Sequence, residues 1–117
     1  MAKKKTNSDE SEDKVLSLEE IDKVIHEPAR LMIISLLYVV ESSDMLFLKN
    51  SIYSKKEKIS WGNLSSHISK LEEAGYVEVE KKFKGKKPKT FLSLTDNGRK
   101  AFEEYRKKMI HVLGDMA

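Results

Sequence analysis

Between Ser60 and Lys70 the chain sets short hydrogen-bonding side chains around an apolar stripe. Leu64, Ile68 and, just beyond, Leu71 recur at helical spacing, which leaves Asn63, Ser65, Ser66, Ser69 and Lys70 on the other side, with Ser60 ahead of them and His67 among them. The chemistry this offers is non-covalent. A major groove admits a helix only if its outer surface is compact and can hydrogen-bond base edges. Asparagine pairs twice with adenine, serine reads several edges, and a lysine further along meets a phosphate. An ordinary solvated helix face would carry Glu and Lys in place of the serines. Directly downstream, six of the nine residues from Lys81 to Lys89 are lysine (Lys81, Lys82, Lys84, Lys86, Lys87 and Lys89), with no acidic residue among them. A lysine that neutralises a phosphate releases a counterion, so such a segment supplies salt-dependent affinity for a polyanion. Lysines also keep exposed strand edges from pairing, but six in nine exceed that need. Lys55, Lys56 and Lys58 form a smaller cluster, equally readable as a solvated connector.

Covalent and metal chemistry find little support. The chain has no cysteine, which rules out disulfides and thiolate zinc sites, and His26, His67 and His111 lie far apart. No nucleophile with a base, paired carboxylates or glycine-rich phosphate loop stands at usable spacing, so no enzyme and no cofactor is expected. The net charge of +3 conceals an uneven distribution. Residues 18 to 53 carry three positive and six negative charges, whereas residues 54 to 91 carry ten lysines against five glutamates. One basic face on an otherwise solvated molecule suits a nucleic-acid partner. The longest apolar run, Leu31 to Val40, is interrupted by Ser35 and is too short to span a bilayer, so no membrane partner is expected. A basic N-terminus followed by acidic and polar residues does not resemble a signal peptide, and a cytoplasmic location is expected.

The elements that must hold these side chains follow from periodicity and caps. With 117 residues a single domain is expected, preceded by a flexible tail over residues 1 to 14, where no large apolar residue but the initial Met occurs. The domain then runs from 15 to 117. Ser17 and Glu20 make a capping box, and Leu18, Ile21, Val24 and Ile25 predict a first helix to about His26. Pro28 opens a second helix, apolar nearly all round, which should be the centre of the core. Asp44 caps a third that carries Met45, Leu48 and Ile52. Ser60 caps the fourth, which Gly75 ends in the left-handed conformation. From Tyr76 the period becomes two, and Val77, Val79 and the matching run Thr90–Leu94 predict a hairpin whose tip holds the lysines, Gly85 and Pro88. Thr95 caps a last helix with Phe102, Tyr105, Met109 and Val112 at spacings of three and four. Trp61 is expected to pack on the third helix. The fold class is mainly α with a small β-hairpin (α+β): a winged helix-turn-helix with N- and C-terminal dimerisation helices.

Gly62-Asn63-Leu64-Ser65-Ser66-His67, Lys70-Leu71-Glu72-Glu73-Ala74-Gly75-Tyr76-Val77, Leu94-Thr95-Asp96-Asn97-Gly98-Arg99 and His26-Glu27-Pro28-Ala29-Arg30 resemble segments of winged-helix regulators of the MarR and ArsR types, in order, over about residues 18 to 108. That resemblance implies binding to palindromic duplex DNA as a dimer, with recognition helices in successive major grooves and wings reaching to the flanking backbone or minor groove. One departure is a turn's worth of extra residues, Tyr53 to Lys58, between the third and fourth helices. No metal effector is implied, and a small-molecule effector stays open.

Assembly is expected from apolar surface that one small domain cannot hide. Leu18, Ile21 and Ile25 of the first helix, and Phe102, Tyr105, Met109, Ile110, Val112 and Leu113 of the last, are the candidate homodimer residues. The rival reading is a winged helix that packs on protein partners in a transcription assembly, which would want an apolar or acidic patch on the fourth helix. Single-stranded nucleic acid would want more exposed aromatics than Phe83 and Trp61.

Overall fold

The structure, a computed structural model, describes residues 17–114, so the tail expected over residues 1–14 lies outside it. Ser17 forms the capping box with Glu20, but the helix it starts is a single 3-10 turn, Leu18–Glu20. The expected first helix does not continue to His26. Asp22 takes its place: its Oδ1 accepts the N–H groups of Val24 and Ile25 at 2.9 and 3.2 Å, a local alternative that competes with helical bonding.

The first full helix, α1 (Pro28–Val40), has Pro28 in its first turn, and the Glu27 carboxylate accepts the N–H of Arg30 at 2.9 Å. Ile33, Ile34 and Leu37 of α1 are completely buried, which bears out its central place, while Met32, Val39 and Val40 are exposed. After α1 come β1 (Ser42–Asp44) and α2 (Met45–Ser51), capped by Asp44 through the N–H of Phe47 at 2.8 Å. Next are the two-residue strands β2 (Tyr53–Ser54) and β3 (Glu57–Lys58), and then α3 (Trp61–Glu73). The chain closes with β4 (Val77–Lys84), β5 (Lys87–Leu94) and α4 (Asp96–Gly114).

The main sheet is antiparallel, in the order β1-β5-β4. β1 covers one edge of β5 over Ser42–Ser93 to Asp44–Phe91, an element that three polar residues do not announce. The lysine hairpin is paired further than expected, to Lys84–Lys87, so its turn is only Gly85-Lys86. Gly85 has φ +67° and takes the first central position, where a type II′ turn wants glycine. The core joins α1 to Leu48 of α2, Leu64 and Leu71 of α3, Leu92 of β5 and, from the turn before α1, Ile25, all fully buried. Hydrophobic burial of this cluster, at about 1.5–3 kcal/mol per large side chain, is what holds three helices to one small sheet.

Phe102 and Tyr105 anchor α4 in that core; the Phe102 ring packs against Tyr38 with centroids 4.9 Å apart. Three of the side chains expected at a dimer interface are therefore spent within the protomer: Ile25, Phe102 and Tyr105 are buried by the chain's own core and offer no surface to a second copy. Ile21 and Met109 are half-buried against it. Leu18, Ile110, Val112 and Leu113 remain exposed.

Candidate nucleic-acid interface

α3 is held from both ends and from beneath. Ser60 accepts the N–H of Asn63 on Oγ at 3.1 Å, so its side chain is a helix cap, which leaves little of it for base contact. At the other end Gly75 adopts φ +80°; the N–H of Tyr76 reaches Leu71 O and that of Gly75 reaches Glu72 O, both at 2.9 Å, the paired closure of a Schellman motif. Leu64, Ile68 and Leu71 dock the inner stripe. Asn63, Ser65, Ser66, Ser69 and Lys70 are all exposed on the outside, as their spacing predicts.

His67 departs from the expectation. Its ring is half-buried, and Nδ1 lies 3.2 Å from Nη1 of Arg30, whose own Nε donates to Val24 O at 2.6 Å. Arginine has no acceptor, so in this contact Arg30 donates and His67 Nδ1 accepts. Glu27 Oε1 is 3.7 Å from the same nitrogen, beyond hydrogen-bond reach. His67 thus ties α3 to the start of α1 and is turned away from the outer face. A signal for this exists in the sequence: His67 follows Leu64 by three and precedes Leu71 by four, which places it on the inner stripe. Trp61 keeps the expected relation to α2, with Lys49 Nζ 5.5 Å from its ring centroid, yet half its surface is exposed.

All six hairpin lysines are exposed, but they are not equivalent. Lys89 lies 3.8 Å from Asp44 Oδ2, so the cap of α2 partly neutralises it, and Lys82 is 3.6 Å from Glu80. Lys81, Lys84, Lys86 and Lys87 have no carboxylate within ion-pair distance among the described residues. The register sets Lys82 directly opposite Lys89 and Lys84 opposite Lys87. Like charges in directly opposed positions destabilise a hairpin. Edge protection does not require that arrangement; a polyanion laid along the hairpin relieves it.

No helix among the described residues is long and apolar enough to cross a membrane, and no group of histidine and acidic side chains there could hold a metal.

A family model described as a winged helix DNA-binding domain matches residues 29–113. An uncharacterized protein of Methanocaldococcus jannaschii is 36% identical over 83 residues, which is 71% of this chain and 85% of that protein. Among solved structures, a transcriptional regulator homologue from Pyrococcus horikoshii superposes with a TM-score of 0.74 at 26% identity, covering 85% of this chain and 95% of that one. A PadR family transcriptional regulator from Eggerthella lenta gives 0.57 at 25% identity, over 78% of this chain and 82% of its own. NadR, solved in complex with 4-hydroxyphenylacetate, gives 0.63 at 23% identity over 84% of this chain and 65% of its own, a likeness of fold alone.

Proposed function

The chain belongs to the winged helix DNA-binding domain family, a family of transcriptional regulators and not of enzymes, and on that premise we propose that it binds duplex DNA sequence-specifically, as a homodimer on a palindromic site. The unit that does so is one domain, from residue 15 onward, working in the cytoplasm. The observation that carries the reading is the presence of two unlike exposed surfaces in consecutive elements: an α3 face of small polar side chains and a hairpin that sets lysine opposite lysine. Asn63, Ser65, Ser66 and Ser69 read base edges. Lys70, Lys81, Lys84, Lys86 and Lys87 hold phosphates, which position the protein without specifying sequence. Lys82 and Lys89, each near a carboxylate, add less.

For the dimer, the supporting observation is the exposed apolar end of α4, Ile110, Val112 and Leu113, together with Leu18. A two-fold contact there would present two α3 helices to one duplex, and half-sites about 34 Å apart would suit them. Selection of bound duplexes from a random pool tests the proposal as a whole. A recovered palindrome with half-sites one turn apart is the expected result; no enrichment over random duplex, or enrichment of a single half-site, would count against it.

A further inference from the structure

The segment between α2 and α3 is neither a tight turn nor an irregular loop. β2 and β3 form a hairpin with Tyr53 opposite Lys58 and Ser54 opposite Glu57. Its root is closed by the N–H of Ile59 to Ile52 O at 2.8 Å, and Lys58 Nζ donates to Asn50 Oδ1 of α2 at 2.9 Å. The tip is Lys55-Lys56, both with positive φ, 52° and 71°. Two successive positive φ angles are those of a type I′ turn, for which Asn-Gly is the favoured pair, and a side chain with a β-carbon is disfavoured at both positions. Two lysines stand there all the same. Neither has a carboxylate within ion-pair distance among the described residues, and both are exposed beside an exposed Tyr53.

The location of the hairpin indicates what these charges face. A cleft of about 320 Å³ is lined by Trp61 of α3, by Asp44, Met45 and Leu46 at the start of α2, and by Lys89 and Thr90 of the large hairpin. A second cleft, of about 330 Å³, lies between Asn63 and His67 of α3, Tyr53 and Ser54 of the small one, and the start of α1 at Glu27. Positions 61 and 63 are about 200° apart around a helix. The first turns of α3 therefore have the root of the large hairpin on one side and the root of the small one on another, and a helix seated in a major groove has a phosphate strand on each side of it.

We propose that the small hairpin is a second phosphate-binding element, in which Lys55 and Lys56 contact the duplex backbone across the major groove from the side the wing faces; this rests on α3 being the helix that enters the groove. The turn then accepts two lysines in an unfavourable conformation because their charge is needed at the tip.

The test is binding of the full chain to a mixed-sequence duplex as a function of salt, with wild type, K55N/K56G, K55R/K56R and the wing variant K84Q/K86Q/K87Q. Because Asn-Gly is the pair this turn prefers, K55N/K56G removes two charges while relaxing the backbone. It is expected to melt at the same or a higher temperature, to bind several-fold more weakly, and to flatten the slope of log affinity against log salt by about 1.8. The wing variant should flatten it by about 2.7, and K55R/K56R should resemble wild type. If K55N/K56G binds like wild type while the wing variant is weakened, the proposal fails and the reading of α3 and the wing stands. If neither variant alters affinity or slope, that reading falls as well. An equal loss in K55R/K56R, which keeps both charges, would also overturn the proposal by making the loss structural.

Discussion

A β-carbon on Gly98 would stand 2.1 Å from the carbonyl oxygen of Tyr76 and 2.8 Å from its carbonyl carbon. α4 therefore begins in direct contact with the backbone at the root of the wing. Thr95 fastens the same junction: its N–H donates to Tyr76 O at 3.0 Å, its hydroxyl donates to Gly75 O at 2.6 Å, and its Oγ1 accepts the N–H of Gly98 at 2.9 Å.

Gly98→Ala is accordingly expected to destabilise the protein. Alanine gains about 1 kcal/mol of helix propensity over glycine, but backbone cannot yield to a contact this short as a flexible side chain would, and overpacking of this kind costs about 1–3 kcal/mol or more. Urea unfolding should show a lower midpoint. An unchanged or higher midpoint would mean that α4 can slide off Tyr76 without loss.

Asn63→Ala and Ser66→Ala should separate specificity from affinity. Lost base-edge bonds cost on the order of 1–3 kcal/mol on the preferred site and little on random duplex. The measurement is the affinity ratio between a selected site and a scrambled one. Equal losses on both would make these side chains backbone contacts.

The polar face of α3 was legible because it is what remains when Leu64, Ile68 and Leu71 are assigned to the core, and Ser60 and Gly75 mark the ends of the helix. α1 was legible for a similar reason, an apolar run behind Pro28. The elements that escaped are those fixed by distant partners. Nothing in Ser42-Ser43-Asp44 has a strand period; it is extended because the edge of β5 is there to pair with. Leu18, Ile21 and Ile25 do have helical spacing, but the Asp22 side chain competes for the backbone donors such a helix needs. The small hairpin is polar throughout and has no apolar alternation to read. The ion pair of Lys89 with Asp44 likewise depends on β1 lying beside β5, 45 residues apart in sequence.

Alkaline pH should weaken the fold through Tyr76. Burial, and then the hydrogen bond its hydroxyl donates to Asp22, push this phenol from its ordinary value of 10 up to about 12. Below pH 10 the folded and unfolded chains hold this proton alike, so the stabilisation is fully present. Between about 10 and about 12 the unfolded chain releases it while the folded chain keeps it, so stability falls as pH rises. Tyr105, raised by burial, and Tyr38, raised chiefly by its hydrogen bond to Glu103, act in the same direction. Tyr76→Phe should thus be less stable at neutral pH but show a shallower alkaline decline. Urea midpoints of both proteins from about pH 9 to about pH 12 check this; parallel declines would remove Tyr76 as a cause.

For assembly, burial narrows the residues worth changing. Phe102 and Tyr105 are core, and Met109 packs half-buried against it, so substitutions there would unfold the protomer as readily as separate a dimer. Ile110 and Leu113 are different: 56% and 63% of their surfaces are exposed, and at a spacing of three they share one side of α4. The turn bearing Leu18, itself 75% exposed, is tied by Lys108 Nζ, which donates to Glu20 O at 2.9 Å, to the other side of the same helix. Exposed apolar side chains at the end of a helix usually mark a contact, and a two-fold axis would let each copy cover the other's. I110E/L113E should therefore sediment as a monomer and still unfold cooperatively, its melting temperature lowered only by the association it has lost, because neither side chain contributes to the core. Its affinity for a palindromic duplex should drop by on the order of a hundredfold, since two linked half-sites bind far more tightly than one, whereas affinity for a single half-site should change little. A wild-type chain that is monomeric at micromolar concentration and still binds a palindrome tightly would show that the exposed end of α4 is not what joins two copies.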